Sequence, residues 1–427
     1  MRCMSKNDRP VIEVITERQL AYADREQTLD LLVRIHPPKV DRLGKRRRLN
    51  LSLALDRSGS MEGEKIARAR QAAAFCIDQL LPDDRISLVI FDDVVEVIVP
   101  SQLAENKEAV KEKISRVRAR NSTALHEAWV RGGMQVSEHL TDGAVNRVLL
   151  ITDGLANVSE TSVDRIVSQA GELASRGVST TTIGIGSDFN EDLLIPMAEH
   201  GRGNAWHVRE PQDMERIFAT ELEGLIAQIG HTVSLGLSPA EGVKIQDVLN
   251  DFEVTHTGRY KLPNLLAGSP IDVVIRVKLP VKPAGARQKI LDLRLAWNPQ
   301  DAPSSEREIL NESVAIEFAP AAEAERAVVD ERVIKAVQML MAARARREAI
   351  EQLDRGEMAQ ARATIARTAE RFAEVCAPMM ADSDVREQIQ MFEDLQSGLA
   401  GEGDLKMTRK KMSYQSYNLS RQGKPMK

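Results

Sequence analysis

Only three cysteines, Cys3, Cys76 and Cys376, occur in 427 residues. They are odd in number, far apart and form no CxxC pair, which excludes a disulfide framework or a thiolate metal cluster and fits a reducing cytoplasm. No run of about 18 apolar residues is present, and the opening MRCMSKNDRPVIEV has no apolar h-region. The expectation is a chain that stays in the cytoplasm and makes no membrane contact. Seven histidines form no HExxH or other ligand spacing, and His126 and His139 read as helix decoration. Neither GxxxxGK[ST] nor a Gly-rich dinucleotide loop occurs, so nucleotide binding is not expected. A net charge of −5 gives no support to nucleic-acid binding from global charge alone.

What is present is ordinary for a soluble globular protein: 43% hydrophobic and 28% charged residues. The length exceeds what one core usually supports, so two or three domains are expected. VIEVITERQLAY and TLDLLVRIH, separated by ADREQ, read as a β-hairpin. PPKVDRLGKRRR follows, an exposed basic linker, so residues 1–48 form one segment.

Residues 49–230 alternate apolar strands with amphipathic helices, the pattern of a mainly parallel sheet covered on both faces. Leu49, Leu51, Leu53 and Leu55 point one way, and Ile66, Ala69, Ala73, Cys76 and Leu80 recur at helical spacing. RISLVIF and VVEVIVP are joined by only Asp92 and Asp93, too short for a crossover, so one edge strand is antiparallel. The expected class is α/β, a doubly wound Rossmann-like domain with one antiparallel edge strand. Residues 231–320 read as a β-sandwich that the N-terminal hairpin completes, with the α/β domain inserted in it. Residues 321–400 read as a helical hairpin broken at 354–356, like a single tetratricopeptide-like pair serving packing or oligomerisation. Residues 406–427 hold seven Lys or Arg, no acid, and Tyr414 and Tyr417, so 401–427 reads as a basic disordered tail.

The chemistry concentrates in LALDRSGSM, directly after an apolar strand and just before a helix. Asp56, Ser58 and Ser60, spaced by single residues and relaxed by Gly59, can converge on one point from a tight turn. Carboxylate and hydroxyl oxygens are hard ligands suited to Mg²⁺, Mn²⁺ or Ca²⁺ rather than zinc. Thr123, at a helix start in RNSTALHEAW, and Asp153, at the end of the strand in LLITDGLAN, bring two more oxygens. The plainer reading makes the aspartates caps and the serines turn formers. Asp92 and Asp93 are either turn formers or tune the site from the same face.

DRSGS, then NSTAL, then LITDG resembles the metal-ion-dependent adhesion site of von Willebrand factor type A (VWA) domains over about residues 49–230. GEKIARARQAAAF, DRISLVIFDD and TIGIGSDFNEDLL look like the bacterial intracellular branch. The resemblance implies that Ser58, Ser60 and Thr123 ligate a Mg²⁺, Mn²⁺ or Ca²⁺ ion directly, with Asp56 and Asp153 acting mostly through waters. An open position would take an Asp or Glu carboxylate from a partner protein. It also implies settings beside AAA+ ATPases, kinases or phosphatases. Asn121 and Ser122 stand where the family often has glycine before the threonine, and asparagine tolerates the left-handed backbone. The expected role is non-enzymatic, metal-dependent protein binding. The alternatives are a phosphotransferase with Asp56 as nucleophile, for which Ser58 stands where a second acid is needed, and nucleic-acid or anionic-surface binding through the basic tail and residues 39–48.

Overall fold

The computed structural model describes residues 9–39, 47–120, 122–141, 143–154, 160–299, 306–402 and 404–422. Two compact units result, Arg42–Ala227 and a second made of Met1–Asp41 with Gln228–Lys427. The chain begins in the second unit with β1 (Val11–Thr16), β2 (Leu20–Tyr22) and β3 (Gln27–His36).

The α/β unit follows as β4 (Leu49–Asp56), α1 (Glu64–Asp78), β5 (Arg85–Phe91), β6 (Val95–Leu103), α2 (Lys107–Ser115), α3 (Leu125–Ser137) and β7 (Val145–Thr152). It ends with α4 (Val163–Ser175), β8 (Ser179–Ile185), α5 (Glu191–His200), β9 (Arg202–Val208) and α6 (Met214–Ala227). The sheet order is β6-β5-β4-β7-β8-β9, parallel except for β6, which runs antiparallel beside β5. Every residue of β4 is buried, as a central parallel strand requires. Its four leucines share a core with Ile66, Ala69, Ala73 and Cys76 of α1 and with Phe218 and Leu222 of α6. Each fully buried leucine contributes about 1.5–3 kcal/mol. On the opposite face α3 comes close at Gly132, where a Cβ would lie 3.0 Å from Ser52 Oγ and 3.2 Å from Val148 Cγ1.

From β4 the chain first builds outward through β5 and β6, then returns to build β7, β8 and β9 on the other side. The connections therefore diverge above the carboxyl ends of β4 and β7, opening a crevice there. Asp56 closes β4, and Asp153 follows the last residue of β7, Thr152. The topology itself thus places these two carboxylates at the switch point.

The second unit resumes with β10 (Gln228–Pro239), β11 (Lys244–Val248), β12 (Tyr260–Lys261), β13 (Leu265–Leu266), β14 (Ile271–Leu279), β15 (Arg287–Pro299) and β16 (Glu308–Ala319). One sheet is β1-β3-β14-β11 and the other β12-β10-β15-β16-β2, with β13 on β10. The N-terminal residues thus serve both sheets. Leu31, Val33 and Ile35 of β3 meet Leu293, Leu295 and Phe318 between the sheets, while Leu32 and Val274 face α8 (Glu331–Asp354), against Val333, Val337 and Leu340. Burial on both faces explains why Leu31, Leu32 and Val33 are apolar in succession rather than alternating with polar residues.

Before α8 lies the short α7 (Ala321–Ala324), and after it come α9 (Met358–Val375), α10 (Ser383–Ser397) and α11 (Leu405–Gln422). This differs from a lone hairpin followed by a disordered tail. Residues 354–356 do break α8 from α9, but α10 and α11 add to the layer. Met412 and Leu419 of α11 share a core with Ala343, Ala349 and Phe372. Ser416 Oγ donates to Ala343 O at 3.0 Å, and Arg409 holds Asp354 through two contacts of 2.8 Å. Lys406 is exposed and Arg409 ion-paired, whereas Lys410 is almost fully buried, and small polar residues let the helix pack. Tyr414 and Tyr417 are 5% and 9% exposed, so they are not presented for stacking on bases. Residues 40–46 of the basic linker and 423–427 lie outside the described residues.

Candidate metal centre

Asp56 is fully buried at the end of β4. Its Oδ1 accepts the Ser58 backbone N–H at 2.7 Å, and its Oδ2 accepts the Thr152 hydroxyl at 2.5 Å. Burial pushes its pKa up to about 6 against the pull of these bonds, and the charge of Asp153 adds to the rise. Both carboxylate oxygens of Asp56 are thus engaged within the fold. The turn then forms a short 3-10 segment, Gly59–Met61, whose cap residue Ser58 makes no side-chain capping bond. Its hydroxyl lies 3.1 Å from Ser60 Oγ, which donates to Asp153 Oδ1 at 2.7 Å. Ser60 has one proton to give, so the chain of donation runs Ser58 to Ser60 to Asp153.

Thr123 is buried just ahead of α3, whose cap residue Ala124 makes no side-chain capping bond. The Asp153 loop reaches it through Gly154. A Cβ built there would stand 3.2 Å from Thr123 Oγ1 and 3.7 Å from Asp56 Oδ2, so a side chain at position 154 would crowd the Thr123 hydroxyl. Asp56, Ser58, Ser60 and Asp153 are joined by direct contacts, and the Thr123 hydroxyl and Asp56 Oδ2 both lie beside Gly154. Asn121 lies outside the described residues. Among the described residues no group of three His, Cys, Asp or Glu is placed to hold a metal. The centre is instead two carboxylates and three hydroxyls, a hard, oxygen-only donor set of low charge that fits Mg²⁺, Mn²⁺ or Ca²⁺.

The family model of the von Willebrand factor type A domain matches residues 50–220. The chain contains a VWA domain. The uncharacterized protein sll0103 of Synechocystis is 29% identical over 180 residues, 42% of this chain and 42% of that protein. Human inter-alpha-trypsin inhibitor heavy chain H4 is 28% identical over 172 residues, 38% of this chain and 18% of that protein. The chain thus spans less than half the length of these relatives. Two solved structures match nearly end to end in fold. One, described as von Willebrand factor type A from Catenulispora acidiphila, has a TM-score of 0.69 at 18% identity and covers 92% of this chain and 91% of its own. The other, the ArnB paralog VWA2 from Sulfolobus acidocaldarius, has a TM-score of 0.59 at 18% identity, with 98% and 100% covered.

The VWA domain also contains charges that the sequence motifs do not reveal. Asp92, in the β5–β6 turn, is fully buried. It accepts Val94 N–H at 2.8 Å, as a turn former does, but its Oδ2 also lies 2.5 Å from Arg120 Nε and 3.0 Å from Arg57 Nε. The Arg57 contact is an ion pair without good hydrogen-bond alignment. Burial raises the Asp92 pKa, but Arg120, the Val94 N–H and Arg57 outweigh it and hold the group below the usual carboxylate range. Glu96 accepts from both arginines. Main-chain bonds reinforce the set: Arg57 N–H to Phe91 O at 2.8 Å, Arg120 N–H to Arg57 O at 2.7 Å and Ala124 N–H to Asp92 O at 2.6 Å. Asp92 therefore fastens the Ser58 loop to the Thr123 loop. Lys65 was also missed: its Nζ lies 2.5 Å from Asp153 Oδ2. No helix among the described residues is long and apolar enough to cross a membrane.

Proposed function

We propose that the VWA domain holds a divalent cation of the Mg²⁺, Mn²⁺ or Ca²⁺ class and presents it to an Asp or Glu carboxylate of a protein partner. Ser58, Ser60 and Thr123 would hold the ion directly, and Asp56 and Asp153 through ordered waters. Such a cation supplies Lewis-acid attraction for an anionic oxygen. The chain's own residues supply the rest. The Ser58–Ser60–Asp153 relay aims two hydroxyls at one point, Gly154 lets the Thr123 loop approach, and Asp92 locks the loops together. The observation that supports this reading best is that hydroxyl chain, because Ser58 and Ser60 spend their oxygens on each other and on Asp153 rather than on capping a helix. The reading is of a non-enzymatic binding module, serving in a bacterial cytosolic assembly or signalling system with an AAA+ ATPase, kinase or phosphatase as the class of partner.

Calorimetric titration of the full chain with Mg²⁺ and Mn²⁺ tests it. Wild type should bind, and Ser58→Ala, Thr123→Ala and Asp56→Asn should each weaken binding by about tenfold or more. Equal affinity in all four proteins, or no binding by wild type, would refute the reading.

A further inference from the structure

Resting on that cation reading, we propose that Lys65 is a tethered positive charge that loosens the centre's grip on its cation and strengthens its hold on the partner's carboxylate. Lys65 lies in the first turn of α1, which begins at Glu64. That end of a helix carries the positive pole of the macrodipole and disfavours a cation. The residue is misplaced for its helix and well placed for Asp153, whose Oδ2 lies 2.5 Å from Nζ. Asp153 is fully buried, whereas the Lys65 side chain is 26% exposed, so the lysine stem links a buried carboxylate to a partly solvated position.

The ammonium is also confined from a second side. Gly186, just past the end of β8, has φ +74°, and a Cβ built there would stand 3.6 Å from both Cε and Nζ of Lys65. Asp153 thus divides its two oxygens between Ser60, which belongs to the donor set, and Lys65, which does not.

The charge balance follows. Asp56 and Asp153 bring two negative charges and Lys65 one positive charge. A divalent ion added to this set leaves one positive charge in excess, which a single incoming carboxylate cancels. Without Lys65 the loaded centre would be neutral, and the partner's carboxylate would bring an unbalanced negative charge. Lys65 therefore repels the ion and attracts the partner, through Coulomb forces that persist in a partly buried crevice.

The test compares Lys65→Met, which removes the charge and keeps the stem, with Lys65→Arg, which keeps the charge. At low salt, Lys65→Met should bind Mg²⁺ and Mn²⁺ about tenfold more tightly than wild type, with the gain shrinking at high salt. Lys65→Arg should stay within about threefold of wild type. Acetate, titrated into the Mn²⁺-loaded protein and read by water-proton relaxation, should bind less well to Lys65→Met. A purely structural role would lower the melting temperature in EDTA and leave the metal isotherm in place. Unchanged or weaker metal binding by folded Lys65→Met would therefore overturn the proposal. Failure of wild type to bind any of these ions would instead remove the cation reading, and this proposal with it.

Discussion

Within the VWA domain, β7 connects two regions that bury carboxylates in opposite ways. Near its start, Arg147 reaches Glu221 at 2.8 Å, and both side chains are almost fully buried. Glu221 also accepts from Thr181 Oγ1 at 2.6 Å, Asn204 Nδ2 at 2.8 Å and Trp206 Nε1 at 2.8 Å, while Arg147 donates to Ser179 Oγ at 2.8 Å. Past the end of β7, Asp153 has one hydroxyl and one ammonium, and Asp56 has one hydroxyl and one backbone N–H. The first carboxylate is matched by a guanidinium from a packed strand and rigid donors around it. The second pair relies on hydroxyls and a long lysine stem, and burial pushes Asp56 up to about 6. A finished network stabilises a fold, whereas the second pair lacks a matching guanidinium and is where the proposed cation would sit.

Substitutions can break this contrast. Arg147→Met should lower unfolding stability by about 3–5 kcal/mol, because Glu221 keeps a buried, uncompensated charge. Urea denaturation measures it, and Arg147→Met with Glu221→Leu should recover most of the loss. Asp56→Asn, measured in EDTA at neutral pH, should instead raise stability by about 1–2 kcal/mol. The sign follows from a folded pKa above the unfolded one, which makes ionised Asp56 unfavourable in the fold. A loss as large as that of Arg147→Met would end the comparison.

The second unit supplies an intermediate case. Arg344 bonds Asp247, chiefly by a hydrogen-bonded ion pair that holds the Asp247 pKa below the usual range despite partial burial. Both side chains are partly exposed, so Arg344→Met should cost only about 1 kcal/mol. With Asp247 depressed in the fold, this contribution is complete above the unfolded carboxylate value and fades as pH falls below about 4. The wild-type and Arg344→Met urea midpoints should therefore converge in acid.

Residues that end apolar strands were the legible part of the site. Asp56, Ser58, Ser60 and Asp153 follow runs of Leu, Val and Ile, so the strand pattern places them at the carboxyl ends of strands before any coordinates are known. Lys65, Arg57 and Arg120 were not legible, because their partners Asp153 and Asp92 come from other loops, and surface-looking Lys and Arg carry no periodic signal. Asp92 and Asp93 were legible as a turn, and read either as turn formers or as groups tuning the site, but the pattern did not show that Asp92 is buried between two arginines. The strand and helix order of the α/β domain was legible for the same reason as the site. Helix α11 was not, because its packing face is built from Ser416, Ser420, Met412 and Leu419 among many basic residues, and serines that bond a neighbouring helix look like solvated ones in sequence.

The first thirty or so described residues contribute β1 and β3 to one sheet and β2 to the other. Arg34 on β3 pairs with Asp272 on β14, 238 positions downstream. On a ribosome adding about 5–20 residues per second, β3 leaves the exit tunnel roughly 10–50 s before its neighbour exists. The inserted VWA domain, a compact unit in itself, can complete its fold during that interval. The opening hairpin therefore waits as an exposed apolar strand pair, and the nascent chain is most open to aggregation or chaperone capture during that delay.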